Sequence, residues 1–149
     1  MTEYIEATVD KFIFKVATDR YYSSDGVWAK LEGNLVRLGI SDFLQQRNGD
    51  IAFATLKSAG SPISLGDEIA ALETIKVNIN LPAPISGEIM EANPVVETEP
   101  ERINQDPYGR GWLILVKPAD WEKDRSKLME AASYFEKMKR DAEQEIGNK

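Results

Sequence analysis

The sequence predicts a mainly β fold in which many short strands carry a C-terminal helix packed on them. Short apolar runs with period-two alternation are separated by Gly, Pro, Asn and Asp turns, which is typical of antiparallel strands. From Asp120 onward the apolar residues instead recur at three- and four-residue steps. No linker or low-complexity segment divides the 149 residues. We therefore expect one domain over 1–149, with a core over about 11–118 and a helix over about 120–146.

The strands follow one another closely along the chain. They are predicted over 11–17, 27–31, 35–40, 50–56, 68–72, 74–81, 87–92 and 112–117. Glu32-Gly33-Asn34 predicts a tight hairpin turn. Ser41 is expected to cap a short helix over 42–47, which Asn48-Gly49 ends.

Three other segments complete the prediction. The first ten residues are weakly patterned and are candidates for terminal disorder. Residues 93–111 are rich in Pro, Asn, Gly and charge, which predicts an irregular loop. Asp120 is the expected N-cap of the C-terminal helix, and Gly147 lies where that helix should stop. Its apolar face is predicted to contain Leu128, Ala131, Ala132, Phe135, Met138, Ala142 and Ile146.

The charge balance and hydropathy exclude several classes of protein. There are 25 acidic and 18 basic residues, which gives a net charge of -7. A nucleic-acid binder needs clustered cations to contact phosphates, so nucleic acid is not an expected partner. No stretch approaches the roughly 18–20 apolar residues that cross a bilayer, and the N-terminus has no apolar signal core. We expect a cytoplasmic protein without membrane insertion.

The chain contains no cysteine and no histidine. It therefore lacks thiolate nucleophiles, the usual zinc ligands and the side chain that titrates nearest neutral pH. Carboxylates such as Asp50 and Asp106 could act as acid and base, but their spacing does not support a hydrolase. The composition favours a protein that is not itself an enzyme.

Lys76 lies in a β-branched run, Glu73-Thr-Ile-Lys-Val-Asn-Ile79. Strict alternation places Ile75, Val77 and Ile79 on one face and Lys76 on the other. Taken alone, this pattern predicts an ordinary solvated lysine on a half-buried strand.

Five blocks in order and in register change that interpretation. They are Gly39-Ile-Ser-Asp-Phe43, Gly49-Asp-Ile51, Glu73-Thr-Ile-Lys-Val77, Ala83-Pro-Ile-Ser-Gly-Glu-Ile89 and Asn104-Gln-Asp-Pro-Tyr-Gly-Arg-Gly-Trp112. Over about residues 27–118 the chain resembles the H proteins, which are the lipoyl carriers of the glycine cleavage system. Several motifs together are far more specific than any one of them.

The resemblance implies a fold, a cofactor and a site. The fold is a flattened β-barrel or sandwich of two small antiparallel sheets (a barrel-sandwich hybrid of the lipoyl-domain type) with a short helix and a C-terminal helix. Lipoate would be attached to Lys76 as N6-lipoyl-lysine at an exposed hairpin tip. Glu73 would be read by the lipoate-attaching enzyme. A biotin carrier normally flanks its lysine with methionine, and Ile75 and Val77 do not fit that pattern.

Two departures from the H-protein pattern bear on the pathway. Asp25-Gly-Val-Trp28 replaces the usual His-Glu-Trp segment, and Thr74-Ile-Lys-Val77 replaces the smaller Ser-Val-Lys-Ala. Such departures resemble the lipoate-binding proteins of sulfur-oxidising, heterodisulfide-reductase-like complexes, and on them we favour a sulfur pathway. The alternatives are an aminomethyl carrier serving glycine cleavage enzymes and a non-lipoylated docking adaptor. We expect a monomer.

Overall fold

The computed structural model describes residues 2–147, and this part of the chain forms eleven strands and five helices. The strands are β1 (Tyr4–Val9), β2 (Phe12–Ala17), β3 (Tyr21–Tyr22), β4 (Val27–Glu32), β5 (Leu35–Ile40), β6 (Ile51–Leu56), β7 (Pro62–Ile63), β8 (Glu68–Thr74), β9 (Asn78–Pro82), β10 (Gly87–Ala92) and β11 (Ile114–Pro118). The helices are α1 (Asp42–Asn48), α2 (Pro94–Thr98), α3 (Glu101–Gln105), α4 (Trp121–Arg125) and α5 (Ala131–Gly147).

Two antiparallel sheets form the body of the fold. The larger has the strand order β3-β4-β5-β11-β10-β7, and the smaller has the order β6-β8-β9. Neither sheet closes on itself, so the architecture is a sandwich with open edges. The N-terminal strands pair separately as a two-stranded hairpin, β1-β2. The mainly β fold predicted from the sequence is confirmed, with this hairpin added to it.

Apolar side chains from both sheets meet in one core, which includes Leu38, Ile69, Leu72 and Ile89. A second cluster joins the N-terminal hairpin to α5 and contains Phe14, Tyr22, Trp28, Tyr134 and Met138. The hairpin and the C-terminal helix therefore stabilise each other on one side of the sandwich.

Local signals in the β4-β5-α1 region predicted its structure well. Glu32 pairs with Leu35 across the turn, where Gly33 adopts a φ of 67°. The side chain of Ser41 accepts a hydrogen bond from Leu44 N, and Gly49 ends α1. The turn and both helix ends are confirmed because each depends on residues within the segment itself.

The expectation of disorder at the N-terminus is wrong from residue 4 onward. β1 pairs with β2 over its whole length, from Tyr4 opposite Ala17 to Val9 opposite Phe12. Ala7 and Val9 are buried while Glu6 and Thr8 face solvent, so the strand does alternate. Its turn contains Asp10 with a φ of 57°, a conformation that Asp tolerates better than most residues.

The irregular loop predicted over 93–111 contains two short helices. The Asn93 side chain accepts a hydrogen bond from Val95 N at 3.1 Å, and Pro94 occupies the first turn of α2. Pro at that position costs no hydrogen bond and its fixed φ suits a helix. The polar composition that suggested a loop therefore contains helix-capping signals.

The single helix predicted over 120–146 is also wrong. Asp120 is an N-cap, but it caps the five-residue α4, and the long helix α5 begins at Ala131. Between them, Met129 and Tyr22 exchange two backbone hydrogen bonds of 2.8 and 2.9 Å. This bridge to β3 holds the chain extended, so a non-local contact overrides the helical period. None of the described helices has the length and apolar character to span a bilayer.

Candidate functional site

Lys76 lies at the tip of the β8-β9 hairpin. Glu73 pairs with Asn78 at the last position of the ladder, and β8 ends at Thr74. The continuous strand that alternation predicted over 74–81 is therefore wrong, because a turn interrupts it. The exposed hairpin tip that the resemblance implied is where the structure places Lys76.

A threonine side chain closes this turn. The Thr74 hydroxyl accepts from Lys76 N at 3.3 Å and Val77 N at 3.1 Å, and it lies 3.0 Å from the Val77 carbonyl, to which it donates. Among residues 2–147 the only non-glycine residue with positive φ is Asp10. The turn is therefore not of the primed type that favours Asn-Gly, which explains how it forms without those residues.

The side chains around Lys76 face solvent. Lys76 is exposed, and its neighbours Ile75 and Val77 are 96% and 41% exposed. The described residues contain no hydrogen bond or ion pair to Lys76 Nζ. Alternation predicted a half-buried strand with Ile75 and Val77 on the face opposite Lys76, but in the turn all three side chains are exposed. An unpaired amine between two exposed apolar side chains is accessible to a modifying enzyme.

Glu73 is exposed on the central strand of the three-stranded sheet. Its neighbours are Phe53 on β6 and Asn78 on β9. The phenyl ring of Phe53 is 65% exposed. A carboxylate and an aromatic ring thus lie on the sheet directly before the turn that presents Lys76.

Lys76 also lines a groove of about 630 Å³. The hairpin β1-β2, helix α1 and the end of α5 supply its other walls. Its apolar lining consists of Phe12, Phe14, Phe43, Ala142 and Ile146, and its polar lining consists of Gln46, Arg47 and Glu145. Sequence reasoning missed this groove because its walls are far apart in the chain.

Asp50 and Asp106, the carboxylates considered for a hydrolase, lie elsewhere in the fold. The Asp106 carboxylate accepts a hydrogen bond from Arg110 N at 2.8 Å and so shapes its own loop. Asp50 is exposed before β6. The described part of the chain contains no group of three or more His, Cys, Asp or Glu able to hold a metal ion. The hairpin is the better candidate for a functional site.

The sequence matches known proteins over most of its length. A family model described as Glycine cleavage H-protein matches residues 20–141. The glycine cleavage system H protein of Thermus thermophilus is 37% identical over 127 residues, which are 85% of this chain and 98% of that protein. The probable glycine cleavage system H protein of Pyrococcus horikoshii is 39% identical over 85% of this chain and 94% of its own.

A solved structure gives the same result in three dimensions. The crystal structure of a glycine cleavage system H protein from Mycobacterium marinum superimposes with a TM-score of 0.72 at 33% identity, covering 78% of this chain and 94% of that one. The resemblance inferred from the five sequence blocks is confirmed. The names of these proteins favour the glycine-cleavage alternative over the sulfur pathway that the two departures suggested.

Proposed function

This chain belongs to the glycine cleavage H-protein family, and from that premise we propose that it is the aminomethyl carrier of a glycine cleavage system, with lipoate attached to Lys76. Members of the family carry lipoate covalently on a lysine and act as carrier components. The observation that carries the assignment to Lys76 is its place at the tip of an exposed hairpin with an unpaired Nζ among the described residues.

The residues at the tip fit a lipoyl group. Forming an amide at Lys76 Nζ removes its positive charge, and no described carboxylate pairs with that charge. Modification therefore breaks no ion pair of the fold. The Thr74 hydroxyl holds the turn through hydrogen bonds to the backbone of Lys76 and Val77. The side chain of Lys76 takes no part in these bonds, so a group can be attached to it without disturbing the hairpin.

When attached, lipoate supplies a cyclic disulfide on a long tether, which accepts a group at one enzyme and delivers it at another. The protein itself contributes by positioning the arm. An arm on a rigid hairpin tip keeps its end close to whichever enzyme has docked, which raises the local concentration of the reacting group. Ile75 and Val77 provide exposed apolar contacts on either side of the arm for such docking.

Glu73 is the residue that we propose the lipoate-attaching enzyme recognises. Its exposed carboxylate precedes Lys76 by three residues and lies on the strand that leads into the turn. An enzyme that binds this carboxylate with a cationic side chain would hold the amine in a defined position for acylation.

Intact-mass spectrometry tests the attachment site. The wild-type protein, incubated with a lipoate-attaching enzyme, should gain the mass of one lipoyl group, and Lys76→Arg should gain none. Lys11→Arg is the matched control, because Lys11 is an exposed lysine in the turn of another hairpin. An unmodified wild-type protein from its native host would instead support the non-lipoylated docking adaptor.

Reconstitution tests the pathway. The lipoylated protein is mixed with glycine decarboxylase, and glycine-dependent reduction of the arm is followed. Efficient reduction at low carrier concentration supports the glycine cleavage assignment. Failure with glycine, together with acceptance of a sulfur species from a heterodisulfide-reductase-like complex, would return the function to sulfur oxidation.

A further inference from the structure

We propose that a recess on the larger sheet, beside Trp28 and Tyr108, is a binding site for a phosphate group. The recess has a volume of about 350 Å³. Its walls come from the segment before β3, from β4 and β5, and from the loop before β11. None of its lining residues belongs to the hairpin that presents Lys76, so the site is separate from the proposed carrier function.

Positive charge is concentrated in this recess, although the chain as a whole has a net charge of -7. Its four cationic residues are Arg20, Lys30, Arg37 and Arg110. Within residues 2–147 the carboxylates that pair with them are only two, Asp19 and Glu32. Two positive charges are therefore left uncompensated, which attracts anions locally and matches the charge of a phosphate dianion.

Arg20 is a buried cation whose guanidinium is held in place from three directions. Its side chain is 1% exposed. Arg20 Nε donates to the Asp19 carboxylate at 2.8 Å, and Nη1 donates to the Tyr108 carbonyl at 3.0 Å. The guanidinium carbon lies 4.5 Å from a ring centroid of Trp28. These contacts orient the planar group before any ligand arrives, so binding costs little side-chain entropy.

Arg37 is held in a similar way on the neighbouring strand. Its Nε and Nη2 donate to the two carboxylate oxygens of Glu32 at 2.9 and 3.0 Å. Its guanidinium carbon lies 4.4 Å from the ring centroid of Trp112. An ion pair on one side and an aromatic ring on the other leave this group little freedom to rotate.

Both guanidinium groups retain an amino group for a ligand. Arg20 Nη2 and Arg37 Nη1 make no hydrogen bond to any described residue. Over residues 2–147, no fully buried side-chain nitrogen or oxygen lacks a partner. The two amino groups must therefore reach solvent, and both belong to residues that line the recess. A charged donor of this kind forms its strongest hydrogen bonds with an anionic oxygen.

Two less constrained cations complete the donor set. Lys30 Nζ lies 3.6 Å from the Asp19 carboxylate, and this is its one ion pair in the described part of the chain. Arg110 is exposed, and its side chain pairs with no carboxylate among residues 2–147. Both side chains can move toward an anion that the fixed arginines have bound.

A phosphate group suits these donors better than a carboxylate does. Phosphate presents oxygens in several directions and carries up to two negative charges, whereas a carboxylate presents two oxygens in one plane and carries one charge. The donors come from four separate segments of the backbone. A carboxylate would leave one positive charge uncompensated. The same donors suit free phosphate and a phosphate group on a larger molecule.

Titration of the unmodified protein with inorganic phosphate tests the site. The NMR signals of the Trp112 indole N–H and the Arg37 Nε–H are followed at constant ionic strength, and both should shift and saturate. Arg37→Gln should weaken binding by at least about tenfold, because it removes a charge-assisted donor. Arg110→Gln keeps the buried contacts of the recess intact and should weaken binding roughly fivefold. Arg140→Gln is the matched control, because it removes the same charge from an exposed residue of α5 outside the recess and should leave the Kd unchanged.

Two further ligands define the chemistry of the site. Acetate should bind more weakly than phosphate by about tenfold, the effect of one lost charge-assisted contact. Methyl phosphate that binds as tightly as phosphate would assign the site to a phosphate group on a larger molecule, and much weaker binding would assign it to free phosphate. Shifts that do not saturate, equal affinity for acetate, or wild-type affinity in both Arg37→Gln and Arg110→Gln would overturn the proposal. Because the titrated protein carries no lipoate, such a failure leaves the attachment to Lys76 untouched.

Discussion

The hydroxyl of Thr74 accepts a hydrogen bond from the backbone N–H of Lys76 at 3.3 Å, so the residue that ends β8 also holds the residue that the hairpin presents. The same oxygen binds Val77 N, and its hydrogen points to the Val77 carbonyl. One side chain thus satisfies three backbone groups at an exposed tip, where water would otherwise compete for them.

Thr74→Val should loosen this turn while keeping the shape of the side chain. We expect a loss of about 0.5–1.5 kcal/mol in the free energy of unfolding and faster amide exchange at Lys76 and Val77. Thr74→Ser keeps the hydroxyl, so the amides of Lys76 and Val77 should exchange in this variant at the wild-type rate. Equal exchange in the valine variant would show that the backbone holds the turn without the side chain.

Glu73→Gln should slow the attachment of lipoate to Lys76 without unfolding the protein. Loss of a charge-assisted contact with the attaching enzyme should lower kcat/KM by roughly tenfold, which corresponds to about 1.4 kcal/mol. Glu68→Gln is the control, because Glu68 is exposed at the other end of the same strand. If both variants are modified at the wild-type rate, Glu73 is an ordinary surface residue.

Gly39→Ala should destabilise the protein strongly. An added Cβ would lie 2.4 Å from Cζ2 of Trp28, which is completely buried and whose Nε1 donates to the Pro107 carbonyl at 3.0 Å. The indole can move only by giving up that hydrogen bond. We expect a loss of about 1–3 kcal/mol in urea unfolding, the usual cost of overpacking.

Gly147→Ala is the control for Gly39, since no atom lies within 4 Å of the added Cβ. It should change the unfolding free energy by less than about 0.5 kcal/mol. Combining Gly39→Ala with Trp28→Phe should restore part of the lost stability because the smaller ring leaves room. A Gly39 variant as stable as the wild type would mean that the strand shifts to accept the methyl group.

The sequence predicted the structure correctly where residues within one segment determine the conformation of that segment. The β4-β5 turn and the Ser41 cap depend on neighbours in sequence, and both were predictable. The turn at Lys76 was not, because a threonine side chain replaces the expected Gly or Asn. The break before α5 was not predictable either, since Met129 is held by Tyr22, more than a hundred residues earlier.

The same distinction between local and non-local determinants applies to the candidate site. Lys76 was identified through five sequence blocks, although alternation alone made it an ordinary surface lysine. The groove beside it combines Phe12, Phe43 and Ile146, which no local pattern associates. A site made by chain folding over such separations becomes visible only when the coordinates bring its walls together.

Asp124→Ala should release α4 from the sandwich. The Asp124 carboxylate, which is 4% exposed, accepts from Ser86 N at 2.8 Å and from Ser86 Oγ at 2.9 Å. Its removal leaves a partly buried N–H without a partner, and we expect a loss of about 2–3 kcal/mol. Ser86→Ala loses only the hydroxyl bond and should cost about 1 kcal/mol. Equal costs in urea unfolding would contradict this assignment.

Glu32 and Arg37 should contribute stability that depends on pH. Arg37 donates to both carboxylate oxygens, at 2.9 and 3.0 Å, and its guanidinium lies 4.4 Å from the ring centroid of Trp112. The hydrogen bond from Arg37 lowers the pKa of Glu32 below its ordinary value. The pKa of Glu32 is lower in the folded protein than in the unfolded chain. The ion pair therefore stabilises the fold at pH values above the ordinary pKa of Glu, and this stability is lost as the pH falls through the pKa of the folded state.

Glu32→Gln should therefore unfold more easily than the wild type at neutral pH and equally easily in acid. Both side chains are partly exposed, so solvent screening limits the expected difference to about 0.5–1 kcal/mol. Glu122→Gln is the control, because Glu122 pairs with Arg125 while 74% exposed and should contribute almost nothing. Thermal unfolding from pH 7 down to pH 3 checks both variants. A Glu32→Gln deficit that persists at the acid end would mean that the carboxylate acts through its shape, not its charge.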